Sequence, residues 1–571
     1  MRGWRCAAVV GAVTTMIAGC GLPTSSSVHV VRRILTDQQQ VDPDIRRIAP
    51  GPAEGATPEQ IVRGFFAAES NDDDQHAVAR QFLSTPTLWD ASGGSEVYDE
   101  ASLRIAITQR GDLGQAAVSF SKVGMVDSNG SFAAADATVT ETMRLRRIAG
   151  QWRLSAVPVG LQLSVRDIAR SLTSTTVWFM SRDPAGARLV PDPRLLPAPT
   201  AGLASALVRA MLAGPSRRLA PAVRTAVPPG TQLQGTAVLV DGEVTIDLSQ
   251  QAANLRGEEL KLFLAQLAVT LQQVPGALRL RLTANGRGIG GGDPSVGELA
   301  RLVGALPATA DEPPARAPRP IGVRGGQIEN LGSTAPSAQP PGAVWRGVTG
   351  LTAIATDPDS GRIAALHRDG QRQSLLVGTV SGMPSTILGP DNLDAISLVP
   401  DGRVLAHRGG AAPALLLVDR AVVSKVSLPG GLDAGSISTI AVARDGVHVA
   451  LIVGAGQQGK LVVAALVLLP QPRLVELATD VPTPTAVSSA AWLSATHLVV
   501  TGVSGSRAVR PFDLLVDGSA VTPMTSAGLP GSPSRVASWP GSRLLAVARD
   551  QACVLGSGWS VLGRADAVAY I

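Results

Sequence analysis

Cysteine is nearly missing from this chain: of 571 residues, only Cys6, Cys20 and Cys553 carry a thiol. The first two fall in or beside an N-terminal leader, so no intramolecular disulfide is available to the folded body and stability must come from packed cores. Long apolar runs are equally scarce. After residue 19 none is long and uninterrupted enough to span a bilayer, and the stretch 461–469 has the length of a buried strand. Lysine is reduced to Lys122, Lys261, Lys425 and Lys460, the formal charge is only +5, and no basic block is interleaved with aromatics, which argues against nucleic acid as a partner. No Gly-x-Ser-x-Gly occurs, which removes the strained strand-to-helix nucleophile turn of the α/β-hydrolases.

What is present begins with a basic start (Arg2, Arg5), an apolar stretch over 6–16 and the run Ile17-Ala18-Gly19-Cys20. A lipoprotein signal peptidase cuts before a cysteine whose thiol already carries a diacylglycerol, and it requires small residues at the two preceding positions. Residues 1–19 are therefore expected to be a signal peptide, Cys20 the lipid-attachment residue (S-diacylglycerol and N-acyl), and 20–55 a polar tether. Each buried methylene contributes about 0.8 kcal/mol, so two or three acyl chains hold a protein at the membrane where one binds reversibly. The expected location is the extracytoplasmic face of the cell membrane.

Residues 56–168 read as one α+β unit. Thr57-Pro58-Glu59-Gln60 signals a capped helix start, Ile61, Val62, Phe65 and Phe66 give that helix an apolar face, and a second short helix is expected over 75–83. Strand-like stretches succeed it over 103–157, with turns at Asn129-Gly130 and Ala149-Gly150. Helices followed by a curved antiparallel sheet resemble the NTF2-like fold.

Residues 175–305 form a second α+β unit: a strand at 177–180, a helix with Leu203, Leu207, Met211 and Leu212 on one face stopped at Gly214-Pro215, and a hairpin about Asp241-Gly242. A second helix carries Leu260, Phe263, Leu264, Leu267, Leu271 and Val274, and a strand then alternates Leu278, Leu280 and Leu282 with Arg279 and Arg281. The runs Leu212-Ala213-Gly214-Pro215-Ser216, Val227-Pro228-Pro229-Gly230-Thr231 and Asp241-Gly242-Glu243-Val244-Thr245-Ile246-Asp247-Leu248-Ser249 resemble the GerMN module of exported bacterial proteins.

Residues 306–343 are proline-rich and read as a linker, in which 321–326 has the composition to lend a strand to the next domain. Residues 344–571 are a repeat. The stretches opening at Leu351, Ala395, Thr439, Ser489 and Val536 each give an apolar strand, a polar turn and a second apolar strand, at the spacing of four-stranded propeller blades. An all-β propeller of about five blades, or six with the linker strand, is expected.

Several motifs tempt a chemical reading. Gly286, Gly288 and Gly291 form a GxGxxG after a strand, with a helix expected over 295–306, but Asp311 and Glu312 fall in the linker where a dinucleotide site needs an acid on the next strand, so a glycine-rich loop is the better account. Asp357-Pro358-Asp359-Ser360-Gly361 opens like a calcium loop and lacks its distal acids. His367, His407, His448 and His497 sit at different offsets from the repeat turns and read as strand or loop residues rather than a ring of ligands. Cys553 reads as a small buried hydrophobe, Glu258-Glu259 as a helix start and Asp72-Asp73-Asp74 as a solvated loop. No catalytic residue, metal or cofactor is called for.

Taken in order, lipobox, NTF2-like unit, GerMN-like unit, linker and propeller resemble the LpqB family of actinobacterial lipoproteins, with Trp178-Phe179 and Leu189-Val190-Pro191-Asp192-Pro193-Arg194 in support. The resemblance implies a non-enzymatic accessory of the MtrA/MtrB two-component system that engages the extracellular domain of the sensor kinase MtrB in cell-envelope homeostasis and division. An envelope scaffold that binds cell-wall glycan or peptide without a kinase partner is the alternative.

Overall fold

The computed structural model describes residues 50–70, 76–91, 93–183, 186, 188–197, 202–289, 295–298, 318–332, 344–478, 484–504, 508–539 and 541–571. Cys20, Asp72-Asp73-Asp74 and Gly291 lie outside the described residues.

The first helix, α1 (Pro58–Glu69), starts where its capping signal stands: the Gln60 N–H donates to Thr57 Oγ1 at 3.3 Å and the Thr57 N–H to Gln60 Oε1 at 2.8 Å. The second, α2 (Ala77–Arg80), is shorter than the predicted 75–83. The apolar face of α1 packs Ile61, Val62, Phe65 and Phe66 onto a sheet whose strands run in the order Gln151–Ala156, Phe132–Ile148, Leu113–Val126, Ser95–Tyr98 and Leu161–Ser164, with Arg104–Arg110 also beside Leu113–Val126. Glu69 closes α1 with a fully buried carboxyl that accepts the Gln162 N–H at 2.5 Å. Burial pushes its pKa well up; the Gln162 N–H opposes that shift, and Glu141 and Asp167 add to it.

The second body joins this one without a gap. Helix α3 (Val165–Ser171) is capped by Ser164 and runs directly into the strand Leu172–Ser181, which pairs with Leu189–Pro197 and Val223–Arg224. Leu195, from that second sheet, is buried among Val97, Val126, Phe132 and Leu163 of the first body, and its N–H donates to the Gly130 carbonyl at 2.7 Å. The two bodies therefore share a core.

Helices α4 (Leu203–Ala213) and α5 (Gly257–Leu271) cover a further sheet ordered Val238–Val240, Glu243–Leu248, Arg279–Ala284, Arg287–Gly288. The hairpin at Asp241-Gly242 forms as predicted, with φ of 48° and 77°, the left-handed pair that a two-residue turn requires. Two expectations are corrected. Within 295–306 the segment Ser295–Glu298 is a strand, antiparallel to Arg279–Ala284, because that strand has a second edge with backbone groups to satisfy. Leu278 stands outside the strand it was assigned to and is 69% exposed, since the Leu278 and Arg279 N–H groups are both turned to the Gly242 carbonyl.

The C-terminal region is β-propeller-like. Five four-stranded antiparallel sheets begin at Leu351, Leu393, Ile437, Thr485 and Pro533, each with its first strand innermost. The strand anticipated at 321–326 is present as Pro320–Arg324. It pairs with Gln327–Asn330 on one side and with the strand Ala567–Tyr570 on the other, so the stretch read as linker contributes two strands of a three-stranded sheet. The segment 461–469 is the strand Lys460–Val467, buried from Leu461 onward. Among the described residues no helix is long and apolar enough to cross a membrane.

Candidate functional site

The inner strands Leu351–Asp357, Leu393–Leu398, Ile437–Val442, Thr485–Trp492, Pro533–Ala537 and Ala567–Tyr570 lie side by side in that order, and the last returns to the first. Each innermost strand has one free edge, and hydroxyls from neighbouring sheets cap part of it. Ser397 Oγ accepts the Val442 N–H at 3.0 Å, Ser489 Oγ accepts the Val536 N–H at 3.0 Å, and Thr356 Oγ1 donates to the Tyr570 carbonyl at 2.5 Å.

One end of this ring is bridged by a side chain. Arg444, from the turn of the third sheet, reaches Asp359 of the first sheet at 2.6 Å and lies 5.2 Å from the ring of Trp539 in the fifth. The GerMN-type body sits over the turns of the second to fourth sheets at that same end. Arg403 pairs with Asp183 at 3.0 Å, Arg188 donates to the Pro400 carbonyl at 3.3 Å, and Arg218 to the Leu477 carbonyl at 2.8 Å. Val447, Ala465 and Val467 join the core of the GerMN-type body, and Ala495 packs against Trp178 and Met180. Beside this contact lies a cleft of about 570 Å³ between Arg182, Pro221 and Ala222 on one side and Val447 and Leu466 on the other.

The opposite end carries a repeated device that sequence reading missed. Every one of the five four-stranded sheets has a bulge near the start of its inner strand, and a polar residue there reaches the second strand. Thr352, Ser438 and Ser534 donate to the carbonyls of Leu366, Ile452 and Val547, and Ser488 bonds Thr501 Oγ1 at 2.8 Å. In the second sheet the device is ionic: Asp394 Oδ1 lies 2.5 Å from His407 Nδ1. The Nε2 of His407 lies 2.7 Å from the Ala434 carbonyl, so both ring nitrogens face acceptors, an arrangement that favours the doubly protonated ring.

Burial works against that charge, but the Asp394 hydrogen bond and charge, the Ala434 carbonyl and Asp433 outweigh it and raise the His407 pKa above its ordinary 6.5. A raised value in the folded state means that the stabilisation is complete below the unfolded value and is lost as pH climbs through the folded one. The expected result is a loss of thermal stability from pH 6.5 upward that Asp394→Asn flattens, with the His407 imidazole midpoint seen by NMR falling in the same variant. An unchanged midpoint would refute the pairing.

The remaining candidates separate. His448 and His497 begin the second strands of their sheets and bond Asp445 at 2.6 Å and Asp513 at 2.9 Å, whereas His367 and His407 sit near the far ends of theirs. Among the described residues no three His, Cys, Asp or Glu side chains form a group fit for a metal. Gly286 and Gly288 belong to the tight turn into Arg287–Gly288, and the Gly286 N–H donates to Asp247. Asp357 accepts from Ser360 Oγ and the Asp359 N–H, a closed turn. Glu258 and Glu259 open α5, and Cys553 is fully buried.

The described residues thus form three bodies, a GerMN-type one in the middle and a propeller-like one at the end. Family profiles agree along its length: "Lipoprotein LpqB, N-terminal domain" matches 51–169, "Sporulation and spore germination" 176–289, and "Lipoprotein LpqB beta-propeller domain" 332–567. The chain belongs to the LpqB family of actinobacterial lipoproteins. It is similar to Lipoprotein LpqB of Rhodococcus opacus, 26% identical with 92% of this chain and 89% of that one covered, and to Lipoprotein LpqB of Cutibacterium acnes, 29% identical with 90% of each covered. Among solved structures, TolB from Acinetobacter baumannii aligns with 48% of this chain and 69% of its own at 15% identity and a TM-score of 0.34.

Proposed function

We propose that this protein is a lipid-anchored extracytoplasmic accessory, attached through Cys20, that binds the extracellular domain of the sensor kinase MtrB and so modulates MtrA/MtrB signalling. The first body is read as NTF2-like (56–168), the second as GerMN-like (175–305), and the C-terminal region as a six-bladed propeller closed by the strand from the former linker. The role assigned to the chain is binding, not catalysis. The observation that carries this reading is the interlocking of the three bodies, with Leu195 set in the first and Val447 and Val467 set against the second. A stiff stack presents broad surfaces in fixed relation, which favours one kinase state over another when its contacts differ between them. A lipid anchor places that stack beside a membrane-embedded kinase and raises their effective concentration.

Crosslinking in intact cells tests the reading. Wild type is expected to capture the kinase extracellular domain, and Cys20→Ala to capture much less. Recovery of wall material or assembly enzymes without the kinase would replace this reading with the envelope scaffold, for which the polar bulge end of the propeller is the natural contact.

A further inference from the structure

One end of the first body carries a field of arginines. The strands Arg104–Arg110, Leu113–Val126, Phe132–Ile148 and Gln151–Ala156 set Leu113 against both Arg110 and Arg146, Gln115 against Arg144, and Arg146 against Arg153. Residues directly opposite one another share a face of a sheet. The other face holds Ala116, Met143, Leu145 and Leu154, buried beneath α1, so the arginine face is turned to solvent. Leu113, 67% exposed, and Ile148, 38% exposed, stand on it too. Arg147 adds its guanidinium at the neighbouring turn, where Nε donates to the Gly150 carbonyl at 2.9 Å. Among the described residues none of these arginines has an ion-pair partner. Against them stand the exposed Asp112, in the turn before Leu113, and the exposed Glu54, beside Gly55, which leaves this end net positive. Like charges held directly opposite on neighbouring strands repel, as Arg146 and Arg153 do here, and a surface of anions relieves that repulsion.

Two further contacts say which anions. The Gly55 N–H donates to Gln151 Oε1 at 2.9 Å, so the chain that comes from Cys20 enters the body at the arginine end, beside the strand that carries Arg153. The joint with the second body, where the Leu195 N–H meets the Gly130 carbonyl, lies at the other end of the same strands, roughly 40 Å away along Leu113–Val126. The tether therefore delivers the basic end, and not the joint, to the bilayer. We propose that this arginine face lies on the membrane and binds the phosphates of anionic lipid headgroups. Guanidinium groups pair with phosphate oxygens in a bidentate fork, and basic groups held within a Debye length of an anionic bilayer are drawn to it. Leu113 and Ile148 then meet the boundary between headgroups and acyl chains. The proposal rests on the lipid attachment at Cys20 and adds to it: the lipid sets where the protein is, and the face sets which way it stands, with the second body and the propeller directed away from the bilayer. A soluble polyanion would answer the charge, but not the exposed Leu113 and Ile148 or the point at which the tether enters.

The test uses the full lipidated protein on phosphatidylcholine vesicles with and without phosphatidylglycerol. Cys20 carries the lipid and Cys553 is buried, so a fluorophore on Leu113→Cys, or on Val422→Cys in the propeller as control, labels one site. Energy transfer to a headgroup-labelled lipid is expected to be strong from position 113 on the phosphatidylglycerol vesicles and weak from position 422 throughout. From 113 it is expected to fall to the phosphatidylcholine level in molar salt, and also when Arg144→Glu and Arg146→Glu are combined. The salt arm keeps every arginine in place, so it does not depend on how the charge-reversed chain folds. Flotation with pure phosphatidylcholine vesicles reads the anchor by itself. If the protein floats there, the proposal is overturned, with the anchor intact, by transfer from 113 that is the same with and without phosphatidylglycerol, that survives the charge reversal, or that is matched from 422. If it does not float there, the anchor reading fails; flotation with the phosphatidylglycerol vesicles alone would still support the arginine face, and flotation with neither would overturn it.

Discussion

Trp345→Ala is expected to destabilise the C-terminal region by about 3–5 kcal/mol, the range for emptying a large aromatic from a core. Trp345 is fully buried in a 3-10 turn just before the first inner strand. Its indole sits where three stretches far apart in sequence meet: Ile321, Val323 and Ile328 from the early strands, Ile363 and Ala365 from the first sheet, and Ala567 and Ala569 from the last strand. Its Nε1 donates to the Thr379 carbonyl at 2.9 Å, and Gly378 leaves the ring its room, because a Cβ there would stand 3.1 Å from the indole. The substitution removes packing at the seam that closes the ring, and an unclosed ring of sheets leaves the first and last members with a bare face. For a region of this size the loss corresponds to a fall in Tm of roughly 6–20 °C, read by calorimetry, with Trp345→Phe recovering part of it. A Tm within about 2 °C of wild type would mean that closure does not depend on this contact.

The seam also marks where sequence reading stops. Local signals were legible because their cause is local: the Thr57 hydroxyl needs an N–H three residues on, and Asp241-Gly242 and Ala149-Gly150 adopt the left-handed angles that their hairpins demand. The repeat was legible too, since each inner strand and its turn recur as apolar run and polar stop. The pairing of Pro320–Arg324 with Ala567–Tyr570 spans almost the whole C-terminal region and leaves no periodic trace, beyond a strand-like composition at 321–326. The reach of Arg444 from the third sheet to Asp359 and Trp539 is likewise a fact of three dimensions. The bulge residues stood in plain view as Thr352, Asp394, Ser438, Ser488 and Ser534, but their types differ. What unites them is a partner thirteen or fourteen residues later on the second strand. Within the stretch 295–306, where a helix was expected, Ser295–Glu298 is a strand for the opposite reason: the sequence does not show that a free strand edge lies beside it.

Two of the stretches that carried the family resemblance, Leu189 to Arg194 and Leu212 to Ser216, meet in the structure, and the second large effect is expected where they do. Asp192, with a side chain 5% exposed, accepts from the fully buried Arg194 guanidinium and from the Ser216 N–H at 2.7 Å. Arg194 Nη2 also donates to the Gly214 carbonyl at 3.3 Å, so the pair ties the strand Leu189–Pro197 to the stop after α4. Asp192→Ala strands a buried cation and frees the Ser216 amide, for an expected loss of about 3–5 kcal/mol. The buried charge, more than the lost contact, sets that size, so Asp192→Ala combined with Arg194→Met is expected to be more stable than Asp192→Ala alone. The same carboxylate lies near enough to the propeller to help hold up the pKa of Asp517, which burial raises first. Thermal and urea unfolding of wild type and the two variants decide the matter: if the double variant is no more stable than Asp192→Ala, the freed Ser216 amide, rather than the stranded charge, accounts for the loss.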